Sequence, residues 1–163
     1  SGSLSPRVTS RTEMRIVIFG CGRTGSTLAL QLRSRGHEVT VIEQNPSTIR
    51  RLGKDHGCNI VIGSGIDEDV LLQAEIDSAD AFFALTRGDN TNIMAAQIVR
   101  LSHKVEKVCI KVADPLRAEA YRKLGYVVIN PAALSAGLMR DWVLNEPCEP
   151  IDSYNVLAKE LNI

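Results

Sequence analysis

No stretch of this sequence approaches the roughly 18 consecutive apolar residues that a membrane-crossing helix needs, so any link to a membrane is expected to be indirect. A surplus of charge is missing too: 19 Lys and Arg balance 19 Asp and Glu. Without a basic excess to neutralise phosphates, the electrostatic case for nucleic-acid binding falls away. The four cysteines, Cys21, Cys58, Cys109 and Cys148, form no C-x-x-C pair. That spacing excludes a zinc-ribbon type of site and fits a reducing cytosol, with Cys58 and Cys109 expected as buried thiols in or beside strands. Aromatic residues make up only 4% of the chain. No apolar core of a signal peptide opens it, and Ser1-Gly2-Ser3-Leu4-Ser5-Pro6 reads as a tag remnant or loose linker. What is present is ordinary for a soluble globular chain: 163 residues, 44% hydrophobic and 23% charged. That is enough for one domain around one core.

The most informative segment runs from Arg15 to Ala29 and is completed by Glu43. An apolar strand, Arg15-Ile16-Val17-Ile18-Phe19, leads into Gly20-Cys21-Gly22-Arg23-Thr24-Gly25 and then into a helix. An acid follows at the end of a second apolar strand. This is the layout of a dinucleotide-binding βαβ unit. Gly20 suits the tight turn, Gly22 lets a pyrophosphate approach the backbone, and Gly25 lets helix and strand pack closely. The helix N-terminus offers free N–H groups and a positive dipole end. The plainer alternative is a strand–helix turn that needs glycine for geometry alone.

The same rhythm continues along the chain. Helices are expected at Arg23–Arg35, from Asn45-Pro46-Ser47 to Gly57, at Asp67–Ala74, Asn90–Leu101, Pro115–Leu124 and Pro131–Leu144. Strands are expected at Glu38–Glu43, Cys58–Ile62, Ala81–Leu85, Lys107–Val112 and Tyr126–Ile129. Apolar strands alternating with helices imply parallel pairing with right-handed crossovers. The expected fold is therefore α/β: a Rossmann-like doubly wound parallel sheet, six strands in order 3-2-1-4-5-6, with a C-terminal crossover helix. Residues 1–13 read as tag or linker, 14–145 as the nucleotide-binding domain, and 146–163 as linker and short tail.

Ligands of such sheets sit at the strand carboxyl ends where the order reverses. Four loops meet there: Gly20–Gly25, Glu43–Asn45, Gly63–Ile66 and Thr86–Asn92. Glu43 can accept hydrogen bonds from both ribose hydroxyls and repels a 2′-phosphate, which disfavours NADP; alternatively it is a solvated strand-end carboxylate. Ser64, Gly65 and Ile66 either flank an adenine or simply form a turn. Arg23 offers a bidentate partner for phosphate oxygens, or is an exposed first-turn arginine. His37, His56 and His103 fall away from the strand carboxyl ends and are expected at the surface.

The glycine turn, Glu43, Gly63-Ser64-Gly65, Ala84-Leu85-Thr86-Arg87-Gly88-Asp89-Asn90-Thr91-Asn92 and Lys111-Val112-Ala113-Asp114-Pro115 resemble TrkA-N domains, also called RCK domains (regulators of potassium conductance). The resemblance spans Met14 to Trp142, and its specific part is Thr-x-x-Asp-x-x-Asn. It implies a cytoplasmic regulatory module, not an enzyme, peripheral to the inner face of the membrane through a potassium channel or transporter. Such modules bind NAD(H) or ADP/ATP, form homodimers and often assemble into rings. By position, Gly20, Cys21, Gly22, Arg23 and Thr24 hold phosphates. Glu43 takes the ribose, Thr86 and Arg87 lie on the ligand's far side, and Asn92 belongs to the same segment. Lys111 stands where the family has arginine, and Ser64 where it commonly has an acid. Arg122 replaces an acid that some relatives use for a divalent cation, so no metal site is expected. Ala132–Leu144 corresponds to a helix shared between dimer partners; its Leu134, Leu138, Trp142 and Val143 suit that role or cover of the chain's own sheet. The resemblance also implies a smaller C-terminal ligand-binding subdomain, and the chain ends before one. It reads as a fragment or as an N-lobe alone.

Two other classes fit a glycine turn. A nicotinamide-dependent oxidoreductase would need a proton donor near the nicotinamide and a substrate domain, and the sequence offers neither. A nucleotide sensor unrelated to ion transport predicts the same crevice without a membrane partner.

Overall fold

The computed structural model describes residues 12–157. Strands β1 (Arg15–Phe19), β2 (Glu38–Glu43), β3 (Asn59–Ile62), β4 (Ala81–Ala84), β5 (Lys107–Lys111) and β6 (Val127–Ile129) form one sheet in the order β3-β2-β1-β4-β5-β6. Every neighbouring pair is parallel. This is the expected doubly wound topology. The order reverses between β1 and β4, whose register pairs Phe19 with Ala84.

Alternation along the strands splits the core between two faces. Ile16 and Ile18 of β1 join Val39, Val41 and Leu52 beneath α1 (Arg23–Ser34). Val17 and Phe19 point the other way, into a larger cluster with Phe82, Ile110, Leu71 of α2 (Glu68–Gln73) and Ala96 and Val99 of α3 (Asp89–Ser102). A central parallel strand buried on both faces should read as an unbroken apolar run, and Ile-Val-Ile-Phe does. Helix α4 (Pro115–Lys123) returns the chain to β6, and α5 (Pro131–Leu144) leaves it.

Four expectations need correction. The segment after β2 is a 3-10 helix over Pro46–Leu52 that stops at Gly53, not an α-helix reaching Gly57. Gly53 adopts φ +78°, a left-handed conformation that ends the turn early. A further 3-10 turn, Ile76–Ser78, lies where no element was expected. The histidines are not all at the surface. His37 is buried and its Nδ1 accepts from Met14 N, while the His103 side chain is 4% exposed between two carboxylates. Cys58 is buried, whereas Cys109 is half-buried.

Helix α5 does not cover its own sheet. Its packing partner is α6 (Ile151–Tyr154), and Leu138, Val143 and Trp142 stay exposed, the last at 80%. The short tail, for which a helix was one of the readings, thus carries a helix folded back on the domain. A Cβ at Gly137 would collide with the Tyr154 ring, so glycine there lets the two helices meet. The Tyr154 hydroxyl donates to Asp141 Oδ2 at 2.6 Å, and Asn155 Nδ2 donates to Val128 O at 2.7 Å. Residues 1–11 of the expected tag and 158–163 of the expected tail lie outside the described residues.

Candidate functional site

Six strand–helix junctions line the carboxyl edge of the sheet, and they fall into two kinds. After β2, β3, β5 and β6 a side chain caps the next helix: Asn45, Asp67, Asp114 and Asn130 accept from backbone N–H groups two or three residues on. Such caps satisfy donors that helix geometry orphans. After β1 and β4 the capping positions are Gly22 and Gly88, and neither helix has a side-chain cap. These two strands flank the reversal of strand order. The unpaired donors of α1 and α3 therefore face the one place where this architecture binds ligands.

The glycine turn is built for close approach. Gly20 has φ +108°, and a Cβ there would stand 2.9 Å from Leu85 C and Thr86 N. A Cβ on Gly25 would overlap the Gly20 carbonyl, so only glycine lets α1 pass over the turn. Gly22 is different. Its φ of −76° suits any residue, and nothing lies within 4 Å of an added Cβ. The space is open on the side where α1 presents its N-terminus. The Cys21 side chain is buried, its Sγ reaching Thr48 O at 3.7 Å. Burial, then the charge of Glu43, pushes the thiol pKa up and keeps it neutral.

Glu43 fastens the turn. Its Oε2 accepts from Cys21 N at 2.6 Å and its Oε1 from Asn45 N at 2.9 Å. A carboxylate has about four lone-pair directions, so each oxygen keeps one for an outside donor. Arg23 is exposed, and α1 has no acid in its first turn. Among the described residues the guanidinium has no ion-pair partner. Thr24 beside it is exposed as well.

The Ser64–Ile66 loop is a tight turn pressed onto the sheet. Gly65 is buried, and a Cβ there would lie 2.6 Å from Phe19 Cγ. Ser64 O accepts from Asp67 N at 3.0 Å, and Ile66 is 38% exposed at the crevice edge.

The segment after β4 places its polar residues inward. Asn92 has no exposed surface. Its Oδ1 accepts from Thr86 N at 2.9 Å and from the Thr86 hydroxyl at 2.6 Å; its Nδ2 donates to Thr86 O and Lys111 O. The amide is saturated, which puts Asn92 beneath the crevice instead of on its wall. Thr86 spends its hydroxyl on the same network, while Arg87 is exposed. Asp89, absent from the residues expected at the site, accepts from Ala113 N at 2.8 Å and Asp114 N at 2.9 Å. It locks the β5–α4 loop against α3. The Thr-x-x-Asp-x-x-Asn spacing was the available signal for it.

Lys111 ends β5 half-buried. Burial holds its ammonium pKa below the usual value; Asp89 opposes that shift, and Arg87 adds to it. Lys111, Arg23 and Thr24 share a cleft of about 490 Å³ with Leu28, Phe83 and Ile129, on the sheet face that α5 leaves open. Cys109 also lines this cleft, its thiol pKa raised by burial to about 11. The structure thus gathers Arg23, Thr24 and Lys111 on the cleft, and Glu43 with Cys21 on the turn. Ser64–Ile66 lies beyond β2, and Arg87 is exposed just ahead of α3. His37 and His56 accept from Met14 N and Cys58 N, both away from the turn. Among the described residues, no three His, Cys, Asp or Glu cluster as metal ligands, and no helix is long and apolar enough to cross a membrane.

Comparison with known proteins agrees with the fold. Residues 16–131 match the model of the TrkA-N domain. The Trk system potassium uptake protein TrkA of Streptomyces coelicolor is 44% identical over 138 residues, which is 85% of this chain and 62% of that protein. The chain spans 57–62% of the length of the first curated relatives it matches. Among solved structures, the GsuK channel bound to NAD is 27% identical with a TM-score of 0.61, over 78% of this chain and 23% of that one. GsuK bound to ADP is 28% identical with a TM-score of 0.59, over 73% of this chain and 31% of that one.

Proposed function

The chain belongs to the TrkA-N domain family, and we propose that it is a nucleotide-binding regulatory module of a potassium channel or transporter, responding to NAD(H) or to ADP/ATP. One observation carries the nucleotide reading: the helices after β1 and β4 leave their N-termini uncapped where the strand order reverses. Polyphosphate oxygens complete the hydrogen bonds of α1 at Gly22, Arg23 and Thr24 and meet its positive dipole end. The Arg23 guanidinium adds a bidentate contact. The free lone pairs of Glu43 take ribose hydroxyls, and its charge disfavours a 2′-phosphate. Arg87 and Lys111 supply positive charge on the far side, with Thr86 positioning that loop, while Ser64, Gly65 and Ile66 border the adenine side.

This chemistry binds and does not react. The GsuK channel, a relative of this fold, has been seen with NAD and with ADP, which supports a sensing site. Sensing needs two arrangements that the ligand distinguishes. A second copy supplies them: the exposed apolar side of α5 meets the open sheet face of its partner, and the homodimer, alone or in a ring, changes shape with the nucleotide. The module works in the cytoplasm, at the inner face of the membrane through its transporter partner. No direct membrane insertion, nucleic acid or metal is required, and no catalytic role is assigned.

A thermal-shift panel with NAD, NADH, ADP, ATP and NADP tests the reading. A physiological ligand at a hundred times its dissociation constant adds about 2.7 kcal/mol, with NADP weaker than NAD. No stabilisation by any of the five contradicts it. Turnover of hydride with the reduced cofactor would move the chain to the oxidoreductases instead.

A further inference from the structure

His103 lies at the C-terminal end of α3, far along the chain from the glycine turn, and the proposed ligand contacts do not use it. Its side chain is 4% exposed. Nδ1 stands 2.6 Å from Asp77 Oδ1, in the 3-10 turn that follows α2, and Nε2 stands 3.2 Å from Glu68 Oε2, the first residue of α2. One ring therefore bridges both ends of the segment running from α2 through Ile76–Ser78. The charged groups facing it are these two carboxylates, one from each packed element, together with the carbonyl end of its own helix. Neither carboxylate has a Lys or Arg partner among the described residues.

Only a protonated imidazole can donate from both nitrogens. When the proton leaves for solvent, one N–H remains, and the shorter contact to Asp77 keeps it. Nε2 then turns a lone pair toward the Glu68 carboxylate, which it repels. Burial by itself lowers the pKa of this ring, but the hydrogen bonds and charges of Asp77 and Glu68 outweigh that and raise it above the ordinary histidine value. Glu68 follows Asp67, whose backbone N–H donates to Ser64 O. Release of Glu68 therefore loosens the start of α2 and, through it, the Ser64–Ile66 loop.

We infer that His103 is a proton-operated tie on α2, through which pH sets the order of the Ser64–Ile66 loop and the nucleotide affinity of the crevice. The coupling to affinity rests on the nucleotide reading above; the tie itself does not. The sign follows from linkage. A group whose pKa is higher folded than unfolded contributes stability in full below its unfolded value, about 6.5. That contribution is lost as pH rises through the folded value.

The experiment follows the His103 ring by NMR from pH 5.5 to 8.5. In parallel it measures melting temperature and NAD affinity for the wild type, H103Q and E68Q. NAD is the probe because the charge of its pyrophosphate does not change across this range. The ring titrates above 6.5 in the wild type and lower in E68Q. Melting temperature falls over that titration in the wild type and less in H103Q. NAD affinity falls about fivefold with the same midpoint, a modest coupling between linked sites, and stays flat in H103Q. A ring that titrates at or below 6.5, or the same value in E68Q as in the wild type, overturns the tie. A raised titration with pH-independent NAD affinity overturns the coupling. If NAD binds at no pH while the ring titrates as described, the tie stands and the nucleotide reading fails.

Discussion

The helices that follow β3 and β5 begin differently from those that follow β1 and β4. At the first pair, Asp67 and Asp114 each accept a backbone N–H of the next turn, so the chain completes its own hydrogen bonds. At the second pair, Gly22 and Gly88 offer no acceptor, and the donors stay free. All four junctions lie on one edge of one sheet and carry similar strands. The difference separates function from folding: capped ends are finished structure, and uncapped ends at the reversal of strand order are receptors. Glycine in place of a capping side chain costs only a few tenths of a kcal/mol, a cost that a polyphosphate offsets when it binds.

The largest way to break the comparison is to fill the uncapped junction after β1 from inside. Gly25→Ala sets a methyl against the Gly20 carbonyl. It should cost about 3 kcal/mol in denaturant unfolding, because the obstacle is backbone, and it should abolish nucleotide binding. A loss below about 0.5 kcal/mol would show that α1 can shift away from the turn. A smaller effect sharpens the contrast. Asp114→Ala removes a cap that accepts from Arg117 N at 2.8 Å. It should cost about 1 kcal/mol and leave nucleotide affinity within twofold of the wild type. A tenfold affinity loss would show that the capped ends also serve the ligand.

Much of this arrangement is legible in the residues. The run Ile16–Phe19, its turn and the distal Glu43 announce a βαβ unit, and the alternation of later strands and helices sets the sheet order. Glycine positions carried the site because backbone geometry is a local property. What was not legible depends on distant partners. Asn92 looks like a ligand in sequence, yet it turns inward to hold Lys111, and Asp89, not expected at the site, holds Ala113 and Asp114. His103 looked like a surface residue because Asp77 and Glu68, which contact its ring nitrogens, lie 26 and 35 positions away. The apolar residues of α5 fit two readings; the fold decides against cover of its own sheet, since α6 takes that helix through Gly137 and Tyr154. The early end of the turn after β2 depended on Gly53, a signal close at hand that lost to the longer pattern ending at Gly57.

The smallest change to stability is the most direct test of the central claim. Gly22→Asp puts a capping carboxylate into open space at the head of α1. The substitution should alter unfolding stability by only a few tenths of a kcal/mol, since the backbone there already suits any residue. Calorimetric titration of NAD and ADP into the wild type and this variant then reads the consequence. The account predicts an affinity loss of tenfold or more for both ligands, because the new carboxylate takes the donors and repels the phosphates. Unchanged affinity for both, in a variant as stable as the wild type, would place the phosphates elsewhere and contradict it.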